Sequence, residues 1–255
     1  MQVRSLTPIK KTANLIRHAH CIVVLTGAGI STPSGIPDFR SSHGGLWTRY
    51  DPMEVASLSA FRRNPQQFYA WLHPLARDIA QAKPNPAHIA LAQIESGGYP
   101  LTIITQNIDG LHTRAGSQRV LEVHGSFQTL SCTRCFESHD ATPYIDPYIE
   151  SGEIPYCPKC GAILKPDIIL FQEQLPYQTF VKAREACCKC DLMIVVGSSL
   201  EVIPVAGLPV LALNNNASLI ILNNTPTYVD VRASVVIQED VAISLPHIAE
   251  EVLHG

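Results

Sequence analysis

Six short aliphatic runs constrain most strongly what this chain of 255 residues can fold into. They are Cys21–Leu25, Leu101–Ile104, Val120–Val123, Leu192–Val196, Leu219–Leu222 and Ser234–Ile237. Uninterrupted Val, Ile and Leu is the pattern of strands buried on both faces. Helical stretches separate the runs, at Ile9–His18, Pro65–Gln81, Ala87–Glu95, Thr179–Cys188 and Leu245–Val252. That alternation predicts an α/β fold with a six-stranded parallel sheet. Each run ends in small or hydrogen-bonding residues, such as Thr26-Gly27, Thr105-Gln106-Asn107 and Gly197-Ser198-Ser199. In a parallel sheet the ligand crevice lies outside the carboxyl ends of the strands, so these polar ends are expected to share one site. Turn residues closing strands would account for the Gly and Asn, but less well for Gln106, Asp109 and His124 together.

Composition removes several classes. Hydrophobic residues make up 46% and charged residues only 16%, which argues for a sizeable core and against disorder. A net charge of −3 leaves no broad basic surface for nucleic acid. The N-terminus lacks the apolar core of a secretory signal. Leu192–Leu213 is long and apolar with Glu201 its one charge, yet Gly197, Pro204, Gly207 and Pro209 make it a strand, a turn and a short helix rather than a membrane span. Two stretches interrupt the pattern: a helical, aromatic insertion at 41–86 and a cysteine-bearing module at 127–166, leaving 1–40, 87–126 and 167–255 for the main domain.

Gly27-Ala28-Gly29 directly follows the first run, and glycines there let backbone N–H groups approach a phosphate, aided by the dipole of a following helix. The dehydrogenase fingerprint wants a third glycine where Thr32 stands and a later acidic residue that has no counterpart. A glycine turn without a ligand remains open at this point. Cys132-x-x-Cys135 and Cys157-x-x-Cys160 lie 21 residues apart, and four thiolates suit one structural Zn²⁺ with a closed shell in a reducing compartment, the cytoplasm. Cys187 and Cys190 imitate a third pair but read as packing residues. His124 ends a run and is a candidate general base, against a packing role for a lone histidine. The amides and carboxylate of Gln106, Asn107 and Asp109 suit ribose hydroxyls or a carboxamide, or else an Asx turn.

GAGISTPSGIPDFR (Gly27–Arg40), TQNIDGLH (Thr105–His112), His124-Gly125, the two cysteine pairs and GSSL (Gly197–Leu200) occur in the order found in sirtuins, and the chain resembles that family over about residues 9–252. The resemblance implies a Rossmann-like sheet with an inserted zinc-ribbon module, and an NAD-dependent protein-lysine deacylase. In that reaction the acyl oxygen attacks the nicotinamide ribose, nicotinamide leaves, and a histidine-activated ribose hydroxyl takes the acyl group. Free lysine and O-acyl-ADP-ribose result.

The resemblance assigns that histidine to His124, ribose and water orientation to Asn107, and the nicotinamide carboxamide to Asp109 with Ile108. Cofactor contacts fall on Gly27, Ala28, Gly29, Ile30, Gln106, Gly197, Ser198 and Ser199, with Asp38, Phe39 and Arg40 on a mobile cofactor loop. Asn223, Asn224 and Thr225 face the adenosine ribose, and Val241 the adenine. An acyl-lysine peptide is expected to add as a strand along Ile168–Glu173, touching Ile169, Phe171, Gln172 and Glu173, and also Val202. Gln172 departs from the family, which usually has Gly there, so it narrows the groove or demands an unusual backbone angle. Sirtuins that remove acidic acyl groups carry a Tyr and an Arg three residues apart; here those positions are Tyr69 and Leu72. Without the guanidinium, burying a distal carboxylate is costly, so neutral acyl groups are expected, acetyl first. For Tyr69 a half-buried helix aromatic is an equal reading. The alternatives are ADP-ribosyl transfer or NAD hydrolysis on the same scaffold, a non-enzymatic NAD- and zinc-binding module, and a dehydrogenase.

Overall fold

The computed structural model describes residues 7–39 and 45–255; Arg40 lies outside them, as do residues 1–6 of the N-terminal stretch. Among the described residues the strands, in chain order, are β1 (Ile22–Thr26), β2 (Leu101–Thr105), β3 (Val120–Glu122), β4 (Gly125–Cys132), β5 (Ser138–Asp140), β6 (Leu164–Ile168), β7 (Leu192–Val196), β8 (Ser218–Leu222) and β9 (Val235–Ile237). Two compact units form: Met1–Ser34 with Lys83–Val123 and Tyr177–Gly255, and Gly35–Ala82 with His124–Pro176.

The first unit carries a six-stranded sheet in the order β3-β2-β1-β7-β8-β9, with every pairing parallel. All six predicted runs are its strands, displaced by one residue at most. Ile22, Val24, Ile103, Ile194 and Ile220 share one core with the helices Pro8–His18, Pro86–Ser96 and Val241–His254. The intervening Val23, Leu25, Ile104, Met193 and Leu219 are just as buried, so both faces are covered, as continuous aliphatic runs require. The 192–213 stretch becomes β7, a turn at Gly197 and the helix Leu208–Asn214. No helix among the described residues is long and apolar enough to cross a membrane.

Helix starts follow a local rule. Thr7-Pro8, Asp51-Pro52, Asn64-Pro65 and Asn85-Pro86 each put a capping side chain before a proline, and these side chains accept from the N–H of Lys10, Met53, Gln67 and Ala87. The proline loses nothing there, because its missing N–H belongs to the unbonded first turn.

The second unit holds the helices Pro52–Val55, Leu58–Arg63 and Pro65–Gln81 and an antiparallel sheet in the order β5-β4-β6. It also contains a helix, Thr142–Ser151, that the sequence pattern does not announce. Pro143 and Pro147 read as turn residues, and Tyr148 is its one buried residue. Pro143 in fact occupies the tolerated first turn, and Gly152 at φ 73° ends the helix.

Candidate functional site

In the first unit, β1 and β7 are neighbours whose onward connections run to opposite sides of the sheet, β1 to β2 and β7 to β8. Such a switch point opens a crevice at the carboxyl ends of the strands. Gly27-Ala28-Gly29 and Gly197-Ser198-Ser199 lie there, backbone against backbone. Gly27 N–H donates to Val196 O at 3.1 Å, Gly29 N–H to Gly197 O at 2.8 Å, and Gly197 N–H to Leu222 O at 2.9 Å. A Cβ on Gly29 would stand 2.8 Å from Gly197 Cα, and one on Gly197, at φ +59°, would stand 2.4 Å from Ile30 N. The crossing of these two backbone segments therefore demands these glycines, with or without a phosphate. The expected helix after Gly29 is replaced by two 3-10 turns, Ala28–Ile30 and Thr32–Ser34, because Pro33 and the left-handed Gly35 (φ 87°) forbid a longer one. No helix dipole serves this loop; only close backbone approach does.

The loop after β2 is wired into the same place. Asn107 Nδ2 donates to Gly27 O (3.1 Å) and to Ser31 Oγ (3.0 Å), and Ser31 Oγ donates to Asp109 Oδ2 at 2.7 Å. Asp109 Oδ1 accepts from Leu111 N–H at 2.9 Å. The result is a directed chain, amide to hydroxyl to carboxylate, with Ser31 and Asp109 buried. Gln106 Nε2 donates to Ser198 Oγ at 2.8 Å, tying the β2 loop to the β7 loop. Ile30 is buried, and its carbonyl accepts from Asn85 Nδ2 at 2.7 Å, whereas Ile108 is half-buried. Asn223 Nδ2 is engaged by Thr225 O at 2.7 Å, Asn224 and Thr225 are exposed, and Val241 is buried at the start of its helix. Val202 is half-buried, and its carbonyl accepts from Ala206 N–H at 2.8 Å.

Behind Asp109 lie two buried histidines. The rings of His88 and His112 meet edge to face with centroids 4.8 Å apart, and His112 Nε2 lies 2.9 Å from Thr26 Oγ1. Burial pushes His88 down to about 4, partly opposed by Asp109, and His112 down to about 3, with His88 adding to the effect. Both imidazoles are neutral at pH 7. Glu122, at the end of β3, is pushed up to about 7 by burial and then by the charge of Asp109.

In the second unit, His124 is half-buried, and its carbonyl accepts from Ile169 N–H at 2.8 Å. Gly125 follows at φ +76°, where a Cβ would come within 1.9 Å of Asp167 O. Glycine after the histidine is thus obligatory. The segment assigned to peptide binding is held on several sides. Phe171 N–H donates to Ala56 O, and Phe171 O accepts from Leu58 N–H, both at 2.9 Å. Glu173 Oε2 accepts from Leu170 N–H (2.8 Å) and pairs with Lys165 Nζ (2.9 Å). The carbonyls of Phe39 and Asp38, two residues assigned to cofactor contact, accept from Trp47 and Leu46 N–H, each at 3.0 Å.

The four paired cysteines converge. Their Sγ atoms all lie within 4.8 Å of one another, with Cys132 to Cys160 at 3.4 Å and Cys135 to Cys157 at 3.7 Å. Sulfurs around a tetrahedral zinc stand about 3.8 Å apart for bonds of about 2.3 Å, so the set fits that ion. Arg134 and Cys135 N–H both point at Cys132 Sγ, each at 3.4 Å, as suits a thiolate.

The sequence profile of the Sir2 family matches residues 27–204. NAD-dependent protein deacylase 2 of Archaeoglobus fulgidus is 47% identical over 96% of each chain. The chain belongs to the Sir2 family. Among solved structures, a Sir2–p53 peptide–NAD⁺ complex superposes with a TM-score of 0.86 at 37% identity, covering 95% of this chain and 98% of that one. Sir2Af2 bound to a myristoylated histone peptide does so with 0.81 at 41% identity, covering 96% of each.

Within this Sir2 chain, Gln172 does adopt the unusual angle, φ 73°, and its Oε1 turns to accept from Ser59 N–H at 3.1 Å. Tyr69 is buried; its hydroxyl donates to Leu164 O at 2.5 Å, and its carbonyl accepts from Tyr148 Oη at 2.5 Å. Burial raises the Tyr69 phenol far above its usual range. Leu72 is buried on the same helix. Reading the sequence alone left Ser31, Asn85 and His88 without roles. Ser31 lies inside the glycine motif, so a polar residue in a buried turn was the available signal; His88 sits on the apolar face of its helix and offered none.

Proposed function

We propose that this Sir2-family chain is an NAD-dependent protein-lysine deacylase that acts on acyl-lysine peptides and binds one structural Zn²⁺. The observation that carries the reading is the chain Asn107–Ser31–Asp109 at the carboxyl ends of β1 and β2. NAD supplies a glycosidic bond whose loss of nicotinamide lets an amide oxygen bond to the ribose. Asp109 accepts from the nicotinamide carboxamide, its carboxylate fixed by Ser31 and Leu111 N–H. Asn107, held by Gly27 O and Ser31, orients the ribose, with Gln106 beside it. His124 takes the proton of a ribose hydroxyl at its imidazole and so makes that oxygen a competent nucleophile. Gly27, Ala28, Gly29, Ile30, Gly197, Ser198 and Ser199 line the diphosphate; Asn223, Asn224 and Thr225 face the adenosine ribose, and Val241 the adenine. Phe39 shields the reacting sugar from water and from returning nicotinamide, Arg40 serves the phosphates, and Asp38 belongs to the same cofactor-contacting segment. Ile169, Phe171, Gln172, Glu173 and Val202 bind the peptide.

Leu72 offers an aliphatic wall, so neutral acyl groups are preferred, acetyl first. Four zinc-binding thiolates suit a cytoplasmic setting. The main domain takes 1–40, 87–126 and 167–255, with insertions at 41–86 and 127–166. Incubation with NAD and an acetyl-lysine peptide is expected to yield O-acetyl-ADP-ribose by mass spectrometry, and His124→Ala to abolish it. No such product from several acyl-peptides, or label from adenine-labelled NAD on protein instead, overturns the reading.

A further inference from the structure

The two turns that carry the paired cysteines are not equivalent. In the first, the N–H groups of Arg134 and Cys135 both point at Cys132 Sγ, each at 3.4 Å. In the second, the backbone turns away from the sulfur: Cys157 N–H donates to Ala162 O at 2.7 Å, and Cys157 O accepts from Gly161 N–H at 2.9 Å. Among the described residues the hydrogen-bond neighbours of Cys157 Sγ are Cys135 Sγ at 3.7 Å and an imidazole, His139 Nε2 at 3.5 Å, with no backbone N–H beside them. Cys157 and Cys132 are the buried members of the set, whereas Cys135 and Cys160 are half-buried. A thiolate taken out of water needs a donor in place of the water it loses.

The placement of His139 gives a second line of argument. It lies on β5 opposite Leu130 of β4, and it is half-buried between the exposed Ser138 and Asp140. Leu130 belongs to the small core that also contains Cys132, Cys157 and Leu164. Strand alternation reserves such an inward position for an apolar residue, yet here it carries a ring nitrogen that meets a sulfur. Chemistry fixes the direction of that bond. A zinc-bound thiolate has no proton to give, so Nε2 carries the hydrogen and donates. Four thiolates also outweigh the charge of one Zn²⁺, and a donated hydrogen bond draws some of the excess off one sulfur.

We propose that His139 is a positioning residue of the zinc site: its Nε2–H donates to the Cys157 thiolate and keeps that sulfur on the ion, doing from a neighbouring strand what backbone N–H groups do for Cys132. This rests on the reading of the four cysteines as one structural Zn²⁺ site.

The test uses the full zinc-loaded chain and three variants. The amide nitrogen of Gln matches the reach of Nε2, that of Asn stops at the position of Nδ1, and Phe keeps a ring without a donor. Transfer of zinc to an excess of a chromogenic chelator is expected to run about tenfold faster in His139→Asn and His139→Phe, and within about twofold of wild type in His139→Gln. With Co²⁺ in place of zinc, the thiolate-to-metal charge-transfer band is expected at longer wavelength in the Asn and Phe variants and unmoved in the Gln variant, because losing the donor raises the energy of the sulfur lone pair. If His139→Phe does not fold by circular dichroism, the comparison of Gln with Asn decides. Wild-type release rates in both Asn and Phe variants overturn the inference, and so does a Gln variant that releases zinc as fast as Phe, which would reduce His139 to packing. One zinc per wild-type chain with equal rates throughout refutes the role of His139 alone; a wild-type chain purified without zinc refutes the zinc reading itself.

Discussion

Replacing Gln172 separates two effects that the native side chain combines. Its backbone sits at φ 73°, where a side chain costs about 1 kcal/mol relative to glycine. Against that, Gln172 Oε1 accepts from Ser59 N–H in the first turn of the helix Leu58–Arg63, a bond of 3.1 Å. Such bonds are worth about 0.5–2 kcal/mol, and the exposure of this one places it near the lower end. Gln172→Gly relieves the backbone and loses the bond, so its stability is expected within about 0.5 kcal/mol of the parent. Gln172→Ala keeps the strain and loses the bond, and is expected about 0.5–1 kcal/mol lower. Thermal and urea denaturation of the three proteins measures both terms. In both variants the segment keeps its backbone bonds at Phe171 but loses the side-chain tie to Ser59, and the peptide must order that position, so KM for the acyl-peptide rises about threefold, the cost of fixing one long side chain's worth of freedom, while KM for NAD holds. An alanine variant as stable as the parent would show that the Ser59 bond contributes nothing. A glycine variant below alanine would show that the backbone is not strained.

Other outcomes follow from the same geometry. Ser31→Ala removes the donor to Asp109 Oδ2 and leaves the Asn107 side-chain amide with Gly27 O; a hydrogen bond to a carboxylate is worth about 1.5–3 kcal/mol, so kcat/KM for NAD is expected to fall about tenfold or more, and a change under twofold would remove this hydrogen-bond chain from the mechanism. Metal analysis is expected to find one zinc per chain. Chelation or Cys160→Ser is expected to strip amide protection from β4, β5 and β6 while the six-stranded sheet keeps its own, because the small cluster of Leu130, Ala141, Ala162 and Leu164 is a slight core without the ion. The histidine pair makes the first unit acid-sensitive. His88 has a folded value of about 4 against 6.5 when free, so its contribution is present above pH 6.5 and is lost as the pH falls toward 4. His88→Leu is expected to flatten the drop in Tm across that window, and parallel curves for the two proteins would refute the assignment.

The parts of this molecule that were legible in the sequence are those set by neighbours along the chain. Strands such as Ile22–Thr26 and Leu192–Val196 declare themselves because burial on both faces leaves no polar position to confuse the pattern. Asn64-Pro65 and Asn85-Pro86 mark helix starts because cap and proline act within one turn. The Gln106–Asp109 loop and the cysteine pairs reveal their chemistry because each lies on one short stretch. What stayed hidden is wiring between distant segments. Ser31 meets Asp109 across 78 positions, and the Tyr69 hydroxyl meets Leu164 O across 95. No local periodicity encodes such a partner, since any buried hydroxyl needs one and the fold alone decides which. Tyr69 shows the consequence: its position along the helix is compatible with lining a channel or with packing, and only the fold supplies the partner of its hydroxyl, Leu164 O. His88 is hidden for the opposite reason. It takes a place among Ala87, Ala90, Leu91 and Ile94 that the helical period reserves for apolar groups, so its neutral imidazole and the charge of Asp109 become visible together only when the loop after β2 has folded against that helix.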